Sequence, residues 1–322
     1  MVEHGPRLTL IRQLADGQFH SGQALGELLG MSRAAIAKHI QVLQQWGLDI
    51  YRVQGKGYCL SQPLDLLDES QLKQLAPSLP AILVKPVIDS TNQYLLDRVG
   101  ELSSGAVCLA EYQVAGRGRR GRQWISPFGS NLYCSMYWRL DAGMAAAMGL
   151  SLVVGVALAE WCEAFGGDGV KVKWPNDLYY QDQKLAGILV EMTGQAGEAA
   201  HLVIGMGINL AMPAQAAEGV TQPWTNLQQA CGVLPARNEL VADLLNRLQQ
   251  TLLQYEAQGL AGFVERWNRL DNFLNRPVKL LIGPNEVRGI ARGINHQGAL
   301  MLETETGIHP YLGGEISLRS DA

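Results

Sequence analysis

The densest concentration of chemistry in the chain is Gly116-Arg117-Gly118-Arg119-Arg120-Gly121-Arg122, where four arginines fall within six residues and glycines separate them. Guanidinium forks pair bidentately with phosphate or carboxylate oxygens, so this spacing points to a polyanionic ligand. Self-repulsion predicts a loop that is mobile when empty and orders around that ligand. The glycines also fit G-x-G-x-x-G, with Asp141 twenty residues past the last of them, as a dinucleotide-binding turn requires. That reading is rejected. A helix must open at such a turn, yet Trp124-Ile125-Ser126-Pro127 and a strand-like run follow, and arginines would crowd the backbone's approach to pyrophosphate. The plainer alternative is a solvated or RNA-binding basic loop.

Three further segments carry polar groups at strand ends. Lys173-Trp174-Pro175-Asn176-Asp177 follows a β-rich run, and Asp177 is a candidate for holding Mg²⁺ on a triphosphate. Lys184, seven residues on, opens Leu185-Ala186-Gly187-Ile188-Leu189-Val190-Glu191, placing a point cation where it can neutralise a carboxylate or an α-phosphate. Gly205-Met206-Gly207-Ile208-Asn209 ends another such run. Its glycines leave room for a flat ligand, and Asn209 is suited to a purine edge.

The elements that must position these groups alternate along the chain. Strands are predicted at 81–88, 107–113, 131–140, 170–174, 185–192 and 201–208, and long helices at 144–164 and 239–258, with a short one at 68–75. This is an α+β body on one large sheet; residues 211–236 show no pattern. From Pro277 five short strands, 278–282, 286–294, 299–303, 308–312 and 316–319, alternate with turn residues, which predicts a small β-barrel. At the other end, Arg7 to Ala15 is a short helix. Ser21 caps a second with Leu25, Leu28 and Leu29 on one face, and Ser32 caps a third with Ile36, Ile40 and Leu43 as its stripe, stopped by Gly47. Two helices joined by a tight turn form a helix-turn-helix. Off its stripe the third helix presents Arg33, Ala34, Ala37, Lys38, Gln41 and Gln45, small residues, cations and amides suited to a major groove. Residues 50–60 read as a hairpin with Lys56 at its basic tip, a wing. One such unit implies a dimer on a two-fold operator; a helical domain for protein contacts is the alternative. The domains are placed at 1–63, 64–272 and 273–322.

Composition bounds the rest. The 322 residues are 47% hydrophobic and 17% charged, the balance of a globular protein rather than a disordered one. With 26 Lys+Arg against 30 Asp+Glu the net charge is −4, which excludes a uniformly basic nucleic-acid coat. Residues 1–63 hold six basic and four acidic side chains, and the remainder 20 and 26: a slightly basic head on an acidic body. The longest apolar run, 150–159, is too short to cross a bilayer, and no signal core is visible at the start, so no membrane association is expected. Five scattered cysteines without a C-x-x-C pair fit reduced thiols and a cytoplasmic location. A zinc site is not expected.

In this order the motifs closely resemble those of the biotin protein ligases, and the preceding winged helix resembles that of the bifunctional kind, which also represses the biotin operon. The resemblance covers nearly the whole chain and is most specific in Gly-Arg-Gly-Arg-Arg-Gly together with Lys-Trp-Pro-Asn-Asp. It implies a class II synthetase-like body of the biotin/lipoate ligase type and a C-terminal SH3-like barrel. It also implies a two-step reaction: biotin and MgATP give biotinyl-5′-AMP, which acylates a lysine of the biotin carrier protein of acetyl-CoA carboxylase. Carried over residue by residue, Ser90, Thr91 and Asn92 contact biotin at the start of a helix over 92–99, and Gln113 bonds its bicyclic ring. Arg117, Gly118 and Arg119 fold over the intermediate, with Arg119 retaining it and Lys184 on the biotin carboxylate and α-phosphate. Arg120, Arg122, Trp124, Asn176 and Asn209 surround the adenylate, Trp124 stacking near adenine. The DNA face comprises Ser21, Ser32, Arg33, Ala34, Ala37, Lys38, Gln41 and Lys56, Ala37 standing where family repressors carry a polar asparagine. Biotinyl-5′-AMP serves as corepressor, favouring a homodimer on operator DNA.

Overall fold

A computed structural model of the protein describes residues 4–195, 197–213, 217, 219–312 and 316–320. The chain begins with a helical head, α1 (Gly5–Leu14), α2 (Gly22–Leu29) and α3 (Arg33–Gln45), followed by the hairpin of β1 (Ile50–Val53) and β2 (Gly57–Leu60). Both predicted caps form: the Ser21 hydroxyl accepts from the Ala24 N–H and the Ser32 hydroxyl from the Ala35 N–H, each satisfying an orphan donor of its helix. Leu10, Ile11, Leu14, Leu25, Ile36, Ile40 and Leu43 make the core. Leu28, expected beside Leu25, is 53% exposed; the buried stripe of this eight-residue helix is narrower than its leucine spacing implies. Gly57 pins the wing. Its φ is +110°, and a Cβ there would lie 2.1 Å from the His20 carbonyl oxygen, which the neighbouring Tyr58 N–H bonds at 2.9 Å.

The head is docked on the body. Trp46, just past α3, stacks on Tyr112 (ring centroids 5.1 Å apart, planes 19° apart) and on Phe128 (6.0 Å, 11°), and its carbonyl accepts the Phe128 N–H at 2.8 Å. The chain leaving the head at Pro63 does not hang free as a linker. Arg237 and Glu111, 8% and 3% exposed, form a buried pair at 2.7 Å. Arg237 also donates to the Asp65 and Asn131 carbonyls and gives its own N–H to the Asp65 carboxylate. A buried charge pair holds only when such extra hydrogen bonds complete it.

The body is one seven-stranded sheet in the order β3-β4-β5-β9-β8-β7-β6. The strands are β3 (Ile82–Ile88), β4 (Val107–Gln113), β5 (Asn131–Leu140), β6 (Val170–Lys173), β7 (Asp177–Tyr180), β8 (Gln183–Thr193) and β9 (Ala200–Asn209). β3 and β4 are parallel, and the other pairs antiparallel. Alternation along the strands splits the core. Val107, Leu109, Met136, Leu202 and Ile204 join α4 (Glu69–Leu75), α6 (Leu150–Glu163), α8 (Arg237–Gln258) and α9 (Val264–Leu270), while Cys108, Tyr137 and Val203 face α5 (Thr91–Leu96) through Leu95. The side bearing α5 is also the side of the cleft described below.

Three expectations are corrected. The helix predicted over 144–164 is a 3-10 turn, Met144–Ala147, then a break at Gly149 with φ +85°, then α6. Residues 144–163 have the length and hydropathy of a membrane span, although α6 is a core helix with Leu152–Ala159 all buried. The strand predicted to 174 stops at Lys173, before a cis Trp174–Pro175 bond, and β7 had no counterpart in the sequence reading. The helix predicted over 92–99 is α5 followed by a separate 3-10 turn, Val99–Glu101. Within the unassigned stretch lies α7 (Leu227–Cys231), capped by Asn226.

The last five strands, β10 (Pro277–Ile282), β11 (Asn285–Ile294), β12 (Leu300–Thr304), β13 (Gly307–Tyr311) and β14 (Ile316–Ser320), form an antiparallel sheet in the order β13-β12-β11-β10-β14, close to the predicted boundaries. Val278, Leu280, Ala291, Leu300 and Leu302 bury one face into the body's core.

Candidate functional site

One cleft gathers most of the singled-out residues. Ser90, Thr91, Asn92, Gln113, Arg117, Gly118, Arg119, Arg120, Arg122, Trp124, Asn176, Asp177 and Lys184 all line it.

Its inner half is a network of neutral polar groups. Ser90, Thr91 and Asn92 are 5%, 4% and 4% exposed. The Ser90 hydroxyl caps α5 by accepting from the Gln93 N–H. The Thr91 N–H and hydroxyl both donate to Gln113 Oε1, at 3.0 and 3.2 Å, and Gln113 Nε2 donates to the Ser126 hydroxyl at 3.1 Å. Asn92 Nδ2 donates to Glu191 Oε2 at 2.8 Å and to the Leu189 carbonyl. Ser135, on β5, lies 2.7 Å from Thr91 Oγ1; sequence reasoning missed it, since a serine inside an apolar strand carries no motif. The Glu191 carboxylate behind Asn92 is spent on Arg117, and the remaining donors and acceptors, uncharged and fixed in the pocket, suit a neutral hydrogen-bonding ring system.

The outer half is cationic, and its cations are already engaged. Arg117 pairs with Glu191 at 2.8 Å, Arg119 donates to Asn176 Oδ1 at 2.8 Å, and Lys184 pairs with Asp177 at 2.9 Å. Asn176 in turn donates to the Ile188 carbonyl at 2.7 Å. These partners fold the loop back on the sheet: Arg117 and Arg119 rest on an acidic group of β8 and an amide of the turn before β7. Burial pulls the Arg119 guanidinium below its ordinary pKa, Asp177 opposing and Arg120 and Arg122 adding to the effect. Arg120 has the left-handed φ of +59°, and the Gly118 N–H bonds the Arg122 carbonyl at 2.7 Å, so the loop is a tight hairpin with Arg120 and Arg122 exposed at its tip.

Two expectations about the floor are corrected. The room left by Gly205 and Gly207 is filled by the protein itself. A Cβ at Gly207 would stand 2.5 Å from Trp124 Cε2, and one at Gly205 2.2 Å from Asn92 Oδ1. The glycines seat the Trp124 indole and the Asn92 amide, leaving Trp124 with the Lys184 ammonium 5.5 Å from its ring and its buried N–H without a partner. Asn209 does not line the cleft; it donates to the Thr225 carbonyl at 3.0 Å, tying the end of β9 to the segment beside Lys184.

Two cations escaped sequence reasoning. Lys173 lines the cleft, 6% exposed, and donates to the Tyr179 hydroxyl at 2.7 Å. Burial draws its pKa down to about 8, against Asp177. It stood in the Lys-Trp-Pro-Asn-Asp motif without a role. Arg319, from β14, reaches the same cleft, and no local signal in a short strand's sequence marks it. Among the described residues no group of three or more His, Cys, Asp or Glu could hold a metal. The Asp177 carboxylate lines the cleft, and a site with so few protein ligands fits Mg²⁺ carried largely by phosphates and water.

In the head, Ser32, Arg33, Ala34, Lys38 and Gln41 are exposed along α3 and Ala37 is half-buried among them. Arg33 donates to Gln23 Oε1. Lys56, at the wing tip, lies 5.3 Å from the Phe19 ring centroid. Ser21 and Ser32 spend their hydroxyl acceptors on the caps.

Residues 84–209 match the biotin/lipoate A/B protein ligase family, 273–319 the biotin protein ligase C-terminal domain, and 6–59 a helix-turn-helix domain. The chain is 60% identical to the bifunctional ligase/repressor BirA of Escherichia coli (strain K12), over 99% of each chain. It is 59% identical to that of Salmonella typhimurium over 97% of each. A solved biotin protein ligase from Aquifex aeolicus, in complex with biotin and ATP, superposes with a TM-score of 0.65 at 29% identity, covering 76% of this chain and all of that one (100%).

Proposed function

The chain belongs to the biotin protein ligases, as a bifunctional ligase/repressor, and on that premise we propose how its residues divide the work. The protein is an ATP-dependent biotin protein ligase that also represses transcription through its helix-turn-helix head. The observation that carries the residue assignments is the meeting, in one cleft, of the buried Ser90–Thr91–Asn92–Gln113 network with Arg117, Arg119 and Lys184.

The neutral network takes the biotin ring. Its carboxylate then points toward Lys184, which has only to leave Asp177 to meet it and the α-phosphate of ATP. These two anions repel each other, and holding both against Lys184, Arg119 and Lys173 offsets the repulsion and fixes an in-line approach. Mg²⁺, when bound with the triphosphate, supplies further charge neutralisation, and Asp177 is this chain's carboxylate for it. Arg117 and Arg119 close over biotinyl-5′-AMP and keep water from the mixed anhydride. Arg120 and Arg122 contribute positive field at the hairpin tip, and Trp124 offers its indole face to adenine. No cysteine serves as nucleophile.

The acceptor is a lysine of the biotin carrier protein of acetyl-CoA carboxylase. Biotinyl-5′-AMP favours a homodimer whose two heads read a two-fold operator through Arg33, Ala34, Ala37, Lys38 and Gln41 of α3 and Lys56 of the wing. The reading places the protein in the cytoplasm, assigns the body to the class II synthetase-like architecture and the final sheet to an SH3-like barrel, and divides the chain at 63 and 272.

The test incubates the protein with biotin, MgATP and a carrier domain. Biotinylated lysine is expected, and its absence would refute the ligase assignment. Operator affinity should rise with biotin plus ATP and fall when unmodified carrier is added; indifference to both overturns the repressor mechanism. Arg119→Gly should leak biotinyl-5′-AMP and raise labelling of bystander lysines, and unchanged retention places the loop assignment in error.

A further inference from the structure

Cys162 and Cys231 meet outside the cleft. Cys162 lies near the end of α6 and is 1% exposed; Cys231 closes α7 and alone among the five cysteines is not fully buried. The Cys231 thiol donates to the Cys162 carbonyl oxygen, with Sγ at 3.8 Å. Gly167 makes the slot they share. Its N–H bonds that same carbonyl at 2.9 Å, and a Cβ there would stand 2.7 Å from Cys231 Sγ and 3.1 Å from Cys162 Cβ. A side chain at 167 would part the sulfurs.

We propose that Cys162 and Cys231 form a reversible disulfide when the protein meets a hydroperoxide, and that this bond slows ligand exchange at the cleft. The accessible Cys231 thiolate attacks a peroxide oxygen, breaking the O–O bond and becoming a sulfenic acid as hydroxide leaves. The Cys162 thiol then attacks that sulfur, and its proton departs with the displaced hydroxide as water. Two electrons pass from the thiols to the peroxide, and a dithiol reverses the bond by exchange. The order of attack follows the environment. The adjacent Cys162 thiol draws the Cys231 thiol below its ordinary pKa, while its Cys231 neighbour and burial push Cys162 well above it, and reactivity goes to the accessible thiolate.

The consequence for the cleft follows from what each helix holds. α7 is preceded by the strip Pro223–Thr225, whose carbonyl and N–H groups bond the backbone of Lys184 at 3.0 and 2.9 Å. The first turn of α6 bonds the Pro175 carbonyl through Ser151 at 3.1 Å. A bond between the far ends of the two helices therefore fixes the wall beside Lys184 relative to the turn carrying Asn176 and Asp177. This second half rests on the cleft's assignment to biotinyl-5′-AMP.

The experiment treats the full chain with a few equivalents of hydrogen peroxide and maps its peptides. A linked peptide pair containing Cys162 and Cys231, lacking two hydrogens and separated by dithiothreitol, is expected, with Cys59, Cys108 and Cys134 still alkylatable after unfolding. In Cys162→Ser the reaction should stop at a sulfenic acid on Cys231 that dimedone traps. Oxidation without a linked pair, or no oxidation of Cys231, overturns the site. The dissociation rate of preformed biotinyl-5′-AMP is then compared between oxidised and reduced protein. Oxidation should slow it several-fold, and Cys231→Ser should show no such change. Equal rates with the bond formed overturn the regulatory half, whereas a reduced protein that holds no adenylate counts against the cleft assignment and leaves the disulfide standing.

Discussion

The cleft and the winged head both assemble cations for phosphate, and they do so in opposite ways. In the cleft each principal cation already rests on an acceptor: Lys184 on Asp177, Arg117 on Glu191, Arg119 on Asn176. In the head Lys56 lies by an aromatic ring and Arg33 on a glutamine amide, and among the described residues neither is held by a carboxylate. The difference teaches how each region selects. An anion entering the cleft must outbid carboxylates at short range, so weak anions are refused and a chelating substrate is favoured. The head offers its charge openly, as suits long-range attraction to a polyelectrolyte followed by sliding.

The largest test of this contrast is Lys184→Ala, which leaves Asp177 unpaired beside the substrate's own negative charge. Adenylate formation, followed by pyrophosphate exchange, should fall by roughly 100- to 1000-fold; a loss below tenfold would mean the displaced ion pair is not the recognition device. Second, Trp46→Ala removes the ring between Tyr112 and Phe128 and should destabilise the docked protein by about 3 kcal/mol in denaturant unfolding, with pyrophosphate exchange retained. A collapse of exchange would show the two regions to be one. Third, Lys56→Ala should weaken operator binding only a few-fold while lowering the salt-dependence slope by about one; a loss confined to particular base pairs would show that the wing reads sequence.

The smallest effect concerns pH. Folded Lys173 titrates at about 8 rather than the ordinary 10.5, so between those values the unfolded chain binds more protons and stability rises with pH. The Tyr179 hydroxyl beside it, raised to about 12 by burial, works in the reverse sense above pH 10. Subtracting the profile of Lys173→Met should isolate a rise between pH 8 and 10, and a flat difference would mean that burial does not draw the Lys173 pKa down.

Much of this was legible in one dimension, because the relevant signals are local. Ser21 and Ser32 announce helix starts through a hydroxyl that serves an N–H three residues on. The arginine–glycine run and Lys-Trp-Pro-Asn-Asp keep their meaning wherever the chain carries them. What escaped depends on partners distant in sequence. Gly205 and Gly207 reveal missing side chains, yet only the fold shows that Asn92 and Trp124 fill the gaps. Asn209 has the right chemistry for a base edge and spends it on Thr225. β7 was missed because its hairpin turns on Gln181 and Asp182, both at positive φ (50° and 61°), where Asn-Gly would have signalled a two-residue turn. Arg319 reaches the cleft from the far end of the chain.

The docking of Trp46 also bears on how the protein can be shortened. Cutting at Pro63 to obtain an enzyme without its head would bare the ring faces of Tyr112 and Phe128 that Trp46 now covers, and an apolar patch uncovered on a folded body invites self-association. A shortened chain that begins at Leu64 keeps Asp65 for Arg237 and Glu111. Paired with polar replacements at 112 and 128, it should remain dispersed at concentrations where the simple truncation precipitates.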